Sequence, residues 1–163
     1  MRGFSLVELS IVLVILGLLT GGILAGQSLI RAAEIRAVTT EFQRYMSATQ
    51  AFRDKYMAIP GDMPNATRFW GRTVNAAHCV TNSSASVTSP GTCDGTGNGM
   101  LDIFNAASQS AEPFQFWNQL ALAGLIEGTY SGMAGSGSDD HATSSNIPLS
   151  KLTNAGWTAS YVS

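Results

Sequence analysis

The chain has 163 residues, 45% apolar and only 12% charged, about half the charged share of an ordinary soluble domain. Nine Lys and Arg against eleven Asp and Glu leave a net charge of −2. With lysine only at Lys55 and Lys151 there is no basic field for a phosphate backbone, which excludes nucleic-acid binding. The length suits one domain plus an appendage.

The appendage is N-terminal. From Leu9 to Ile30 no residue is charged, and every Lys and Arg except Arg2 lies from Arg31 onward. About 20 apolar residues rising 1.5 Å each cross the roughly 30 Å hydrocarbon core of a bilayer. No proline interrupts the run, so it reads as a transmembrane helix. Only Met1, Arg2 and Gly3 precede it and no Ala-x-Ala site follows, unlike a secretory signal peptide. Arg2 biases the extreme N-terminus toward the cytoplasm and the bulk of the chain toward export. Glu8 stands inside the apolar region, where a carboxylate is costly and usually functional and paired. Snorkelling to the interface is its plainer role.

Gly3-Phe4-Ser5-Leu6-Val7-Glu8, with its three-residue leader and long apolar run, resembles the processing motif of type IV prepilins and type II secretion pseudopilins. The resemblance covers residues 3 to 30. It implies cleavage between Gly3 and Phe4 by a prepilin peptidase, which also N-methylates Phe4. It further implies that Glu8 neutralises the new N-terminal amine of a neighbouring subunit during filament assembly. Many pilins carry a proline where this chain has Ala25. Here Gly17, Gly21, Gly22 and Gly26 stand instead, each costing about 1 kcal/mol of helix propensity relative to alanine. They allow local unwinding, and the pairs Gly17/Gly21 and Gly22/Gly26 allow close helix approach in lipid.

After Ile30 the sequence becomes amphipathic. Ile35, Val38, Phe42, Tyr45, Thr49, Phe52 and Tyr56 recur at spacings of three and four, one face of a helix. Glu41 and Arg44 are spaced for an i,i+3 pair. One helix from Phe4 to Ala58 is expected, about 80 Å long. Ile59-Pro60-Gly61-Asp62-Met63-Pro64 stops it. The stripe needs a globular head to cover it, a coiled-coil dimer being the alternative. The apolar half needs lipid or many copies of itself.

The remainder, residues 59–163, reads as that head. Gly61 to Ala66 followed by Phe69-Trp70-Gly71 suggests a loop and a short helical turn presenting aromatics. Residues 80 to 92 form a polar low-complexity loop between Cys79 and Cys93. An even cysteine count in a polar, exported region suggests a disulfide, with two free thiols as the alternative. Closing about 15 residues contributes roughly 3 kcal/mol in the chain-entropy model. In Asp94-Gly95-Thr96-Gly97-Asn98-Gly99-Met100-Leu101-Asp102 the oxygens fall at the spacing of the first part of an EF-hand loop. Asp94, Thr96 and Asn98 through side chains, Met100 through its carbonyl and Asp102 are the expected calcium ligands. Asn105 replaces the usual glutamate, so such a site is weak or completed elsewhere, as by Glu112; a glycine-rich turn is the alternative.

Glu112 to Glu127 is the clearest head helix, with Ser110 as cap, Pro113 in its first turn and Gly128 at its end. Phe116, Leu120, Ala123 and Trp117 form its expected packing face, against the stripe. Strand candidates are few, around Met100 to Phe104 and Thr158 to Val162. His78 and His141 sit in loops of small polar residues with no nucleophile elbow or phosphate loop, so the reading is not an enzyme.

The expected architecture is α+β and pilin-like: leader 1–3, transmembrane and filament-core helix 4–30, amphipathic half 31–58, and a turn-rich head with little sheet. The resemblance implies a precursor in the bacterial inner membrane that moves into an extracellular or periplasmic homo-oligomeric filament. Its implied partners are prepilin peptidase, the inner-membrane assembly platform and other minor pilins. No cofactor is expected beyond the calcium. The alternative is a single-pass anchored binding module that never polymerises; Glu8 and the Gly3-Phe4 junction discriminate, because a passive anchor needs neither.

Overall fold

The structure, a computed structural model, describes residues 5–74, 79, 84–102, 112–135 and 144–160. Three helices occur among them: α1 (Leu6–Tyr56), α2 (Thr67–Trp70) and α3 (Glu112–Leu122). The chain divides into two compact units, Met1–Thr39 and Thr40–Ser163.

In the first unit α1 runs through Gly17, Gly21, Gly22 and Gly26 without a break. A methyl added at any of these glycines would meet open space, so their small size serves no packing within this chain. Apolar side chains from Leu6 to Ile30 are exposed. The hydroxyls in this stretch are all turned onto the helix's own carbonyls: Ser10 on Val7 (2.9 Å), Thr20 on Leu16 (2.9 Å) and Ser28 on Ala25 (2.8 Å). A helix that satisfies its backbone and hides its hydroxyls in this way suits hydrocarbon. It is long and apolar enough to cross a membrane.

In the second unit the C-terminal part of α1 lies against the head. Phe52 is fully buried and Ala48 nearly so, with Tyr45 and Tyr56 half-buried beside them. Tyr45 meets Trp117 and Trp157 edge-on at 5.0 and 5.5 Å, and Phe42 stacks on Trp157 at 6.3 Å. At the far end Phe52 and Tyr56 meet Trp70 of α2, and Tyr56 meets Phe69. The expected stripe thus packs from Phe42 onward, whereas Ile35 is exposed. The helix ends at Tyr56 rather than Ala58 because Met57 turns left-handed (φ 55°) while its N–H bonds Arg53 O at 2.8 Å, an αL cap.

Two features of α3 differ from expectation. It stops at Leu122, well short of Glu127, because Gly124 (φ 72°) closes a Schellman motif. Gly124 N–H bonds Ala121 O and Leu125 N–H bonds Leu120 O, at 2.9 and 3.0 Å. Gly124, not Gly128, is the terminator; Ser110 lies outside the described residues. Nor is α3 amphipathic in practice. Every residue from Glu112 to Leu120 is buried, on all sides.

That burial explains how a head with almost no sheet satisfies its loops. The described residues carry only isolated bridges, Arg72 with Val87 and Thr92 and Leu149 with Gly156. The described parts of the two strand candidates, Met100 to Asp102 and Thr158 to Ser160, are not strands. Polar side chains of α3 take the place of ladder partners. Gln119 accepts Gly61 N–H (2.7 Å) and donates to Cys93 O (3.2 Å). Gln115 accepts the Thr92 hydroxyl (2.8 Å) and Cys93 N–H (3.3 Å), and donates to Gly132 O (2.8 Å). Asn118 donates to Gly91 O at 3.2 Å. Gly61 (φ 87°) is required where the chain crosses α3, since a Cβ there would collide with the Glu112 carbonyl oxygen.

Glu41 and Arg44 do not form the i,i+3 pair expected of them. The Glu41 carboxylate takes three donors from the C-terminal region: Trp157 Nε1 and Lys151 N at 3.1 Å, and Ser150 Oγ at 3.4 Å. Arg44 pairs with Glu127 at 3.4 Å, a largely solvated contact of little energetic weight.

Candidate processing and assembly site

The Gly3–Phe4 junction lies outside the described residues, which begin at Ser5. Just beyond it the geometry is specific. Glu8 Oε2 accepts the backbone N–H of Ser5 at 2.9 Å, and Ser5 Oγ accepts Val7 N–H at 3.4 Å. Ser5-x-x-Glu8 is therefore a capping box, with the glutamate reaching back to the N-cap amide. The sequence reading singled out Glu8 but missed this role, which the spacing itself announces. The carboxylate satisfies an orphan donor of its own helix and favours the positive end of the helix dipole. The amide it holds belongs to Ser5, which follows Phe4 in the chain. An acceptor already turned toward the chain's N-terminus suits an ammonium group there.

Cys79 and Cys93 are bonded as a disulfide, with their Cα atoms 5.4 Å apart. Cys93 is buried and its backbone is already held by Gln115 and Gln119. The bridge therefore fastens Cys79 to a loop position that α3 holds in place. His78 and His141 lie outside the described residues, as does Asn105.

The five residues expected around calcium do not form one ligand set as they stand. The Asp94 carboxylate is turned onto Thr67, accepting its N–H at 2.7 Å and its hydroxyl at 2.9 Å. Asn98 Oδ1 accepts Met100 N–H and Asn98 Nδ2 donates to Asp102, both at 2.8 Å. The loop turns its N–H groups and the Thr96 hydroxyl onto the buried carboxyl groups of Asp62 and Glu112. Among the described residues no three His, Cys, Asp or Glu side chains are placed to hold a metal ion. Asp62 and the three amides of α3 went unnoticed as structural groups because nothing in local periodicity marks a buried polar residue.

An N-terminal apolar helix with satisfied hydroxyls, opened by a Ser-Glu capping box, fits a membrane-anchored precursor. The chain matches the prokaryotic N-terminal methylation motif over residues 1–24, the signature of type IV pilins and pseudopilins. Proteins with this motif are structural subunits. No curated protein and no solved structure matches the chain.

Proposed function

We propose that this chain is a structural subunit of a type IV pilus-like or type II secretion pseudopilus filament. A prepilin peptidase cleaves between Gly3 and Phe4 and methylates the Phe4 amine. The helix then leaves the inner membrane through an assembly platform and enters a filament of like subunits and other minor pilins. The observation that carries this reading is the methylation motif at residues 1–24 leading directly into an uninterrupted apolar helix. Four glycines with no use inside the chain add to it, because small residues let helices of separate copies approach closely. The head, with its disulfide-fastened loop, is the part presented to the exterior.

Shearing filaments from cells that express the tagged full chain, and probing filament and membrane fractions separately, tests the reading. The chain should appear in the filament fraction, and deleting the prepilin peptidase should hold it in the membrane as precursor. A chain confined to the membrane in both strains would instead be an anchored binding module.

A further inference from the structure

With Cys79 and Cys93 joined to each other, the sulfurs left open to oxidants are those of the methionines. Five of the six methionines lie among the described residues, and their burial spans nearly the whole range. Met63 is 1% exposed and Met133 7%, whereas Met100 is 38%, Met46 57% and Met57 89% exposed. Met63 lies in the core cluster with Phe52, Ala66 and Leu120.

Met57 is set apart by more than exposure. It follows the last residue of α1, and its backbone is left-handed at φ 55°. Glycine enters that region freely, whereas a residue with a side chain does so at a cost. The core gains nothing in return: among the described residues Met57 belongs neither to the buried cluster nor to the side chains packed around it. It borders a shallow cleft of about 290 Å³, lined also by Gln50, Arg53, Asp54, Ala58 and Ile59.

We propose that Met57 is a reversible oxidation site, at which peroxides convert the thioether to the sulfoxide without disturbing the fold. The sulfur attacks one peroxide oxygen, and an S–O bond forms as the O–O bond breaks. The departing hydroxide takes the proton left on the transferred oxygen and leaves as water. The sulfur is oxidised by two electrons and the peroxide is reduced by them. A dithiol-dependent sulfoxide reductase reverses the change, its dithiol becoming a disulfide while the oxygen leaves as water. The sulfoxide oxygen accepts hydrogen bonds, and Arg53 on the same cleft carries guanidinium donors.

Burial makes the same reaction harmless at one end of the series and destructive at the other. An oxygen added to Met63 has to enter a close-packed core and turns an apolar side chain polar there. At Met57 the added oxygen meets solvent. Oxidant is thus consumed at the one described methionine on which least packing depends.

Brief treatment of the full-length protein in detergent with hydrogen peroxide, followed by peptide mapping of the one-oxygen adducts, tests the site. Met57 should react first of the five, about tenfold or more faster than Met63 and Met133, which are reached only when the head opens. Unfolding in guanidinium should erase this order. Protein oxidised at Met57 alone should melt at the temperature of untreated protein and return to the thioether with a sulfoxide reductase. Met57→Leu should remove the fastest site and leave the other four rates as they were; if that variant does not fold, the wild-type order decides alone. Another of the five reacting ahead of Met57 in the folded chain, an order that persists in guanidinium, or a Met57 sulfoxide that lowers the melting temperature would overturn the proposal.

Discussion

Glu8 has two possible employments, and a single substitution separates them. Within the chain its carboxylate caps Ser5 N–H at 2.9 Å; in an assembled filament it would pair with the methylated amine of Phe4 on a neighbouring copy. Glu8→Gln keeps an oxygen at the same reach, and glutamine serves in a capping box as glutamate does. A cap lost outright costs about 0.5–2 kcal/mol, so Glu8→Ala loses that and Glu8→Gln almost nothing. The ion pair is a larger matter. Two unit charges about 4 Å apart at an effective dielectric constant near 20 attract by about 4 kcal/mol, or roughly 10³ in an equilibrium constant. Glu8→Gln loses all of it. Comparing each variant with wild type in sheared-filament and membrane fractions, by quantitative mass spectrometry, reads out both roles. Membrane insertion should be unchanged or higher, since a charge leaves the lipid. Filament incorporation should drop more than tenfold in both variants. Glutamine supporting wild-type incorporation while alanine fails would make the cap the whole of Glu8's role and refute the pairing.

Gln119→Leu strands Gly61 N–H in the core and leaves Cys93 O only the Thr92 hydroxyl; at about 1–3 kcal/mol for an unpaired group, it should destabilise the head by about that much in denaturant melts. Replacing both Cys79 and Cys93 by serine should cost about 3 kcal/mol or less, and non-reducing peptide mapping of the native protein should recover the linked pair; free alkylation of both thiols without reduction would contradict the bridge. Calcium binding through Asp94, Thr96, Asn98, Met100 and Asp102 is a further proposal, and it requires Asp94 to leave Thr67. If the loop takes the ion, the melting temperature should rise at about 10⁻⁴ to 10⁻³ M calcium, and indifference at several millimolar would leave the loop to its carboxylate-held form.

The long helix was legible because its signals are local and periodic. An uncharged run, then a three-four spacing through Phe42, Tyr45 and Phe52, then Pro60, locate it within two residues at its C-terminus. The short helical turn bearing Phe69 and Trp70 was legible from its aromatics and the glycine after it. What the sequence hid is the way the head coheres. Glu112, Gln115, Asn118 and Gln119 look like the solvated face of an amphipathic helix, yet all four are buried and bonded to loop backbone. Their partners lie 10 to 58 residues away, beyond the reach of any periodicity. Glu41 failed for the same reason: an i,i+3 arginine is visible in sequence, whereas Trp157, 116 positions distant, is not. The end of α3 was misread because Gly128 was taken as its terminator, whereas the fold-back of Leu125 and Ile126 places the stop at Gly124.

The central claim is that the chain matures at its Gly3–Phe4 junction into a filament subunit. Intact-mass and N-terminal peptide analysis of the protein from envelope and filament fractions tests this most directly. A chain beginning at N-methylated Phe4 is the expected result, with Met1, Arg2 and Gly3 gone. A mature protein that retains Met1 would contradict it.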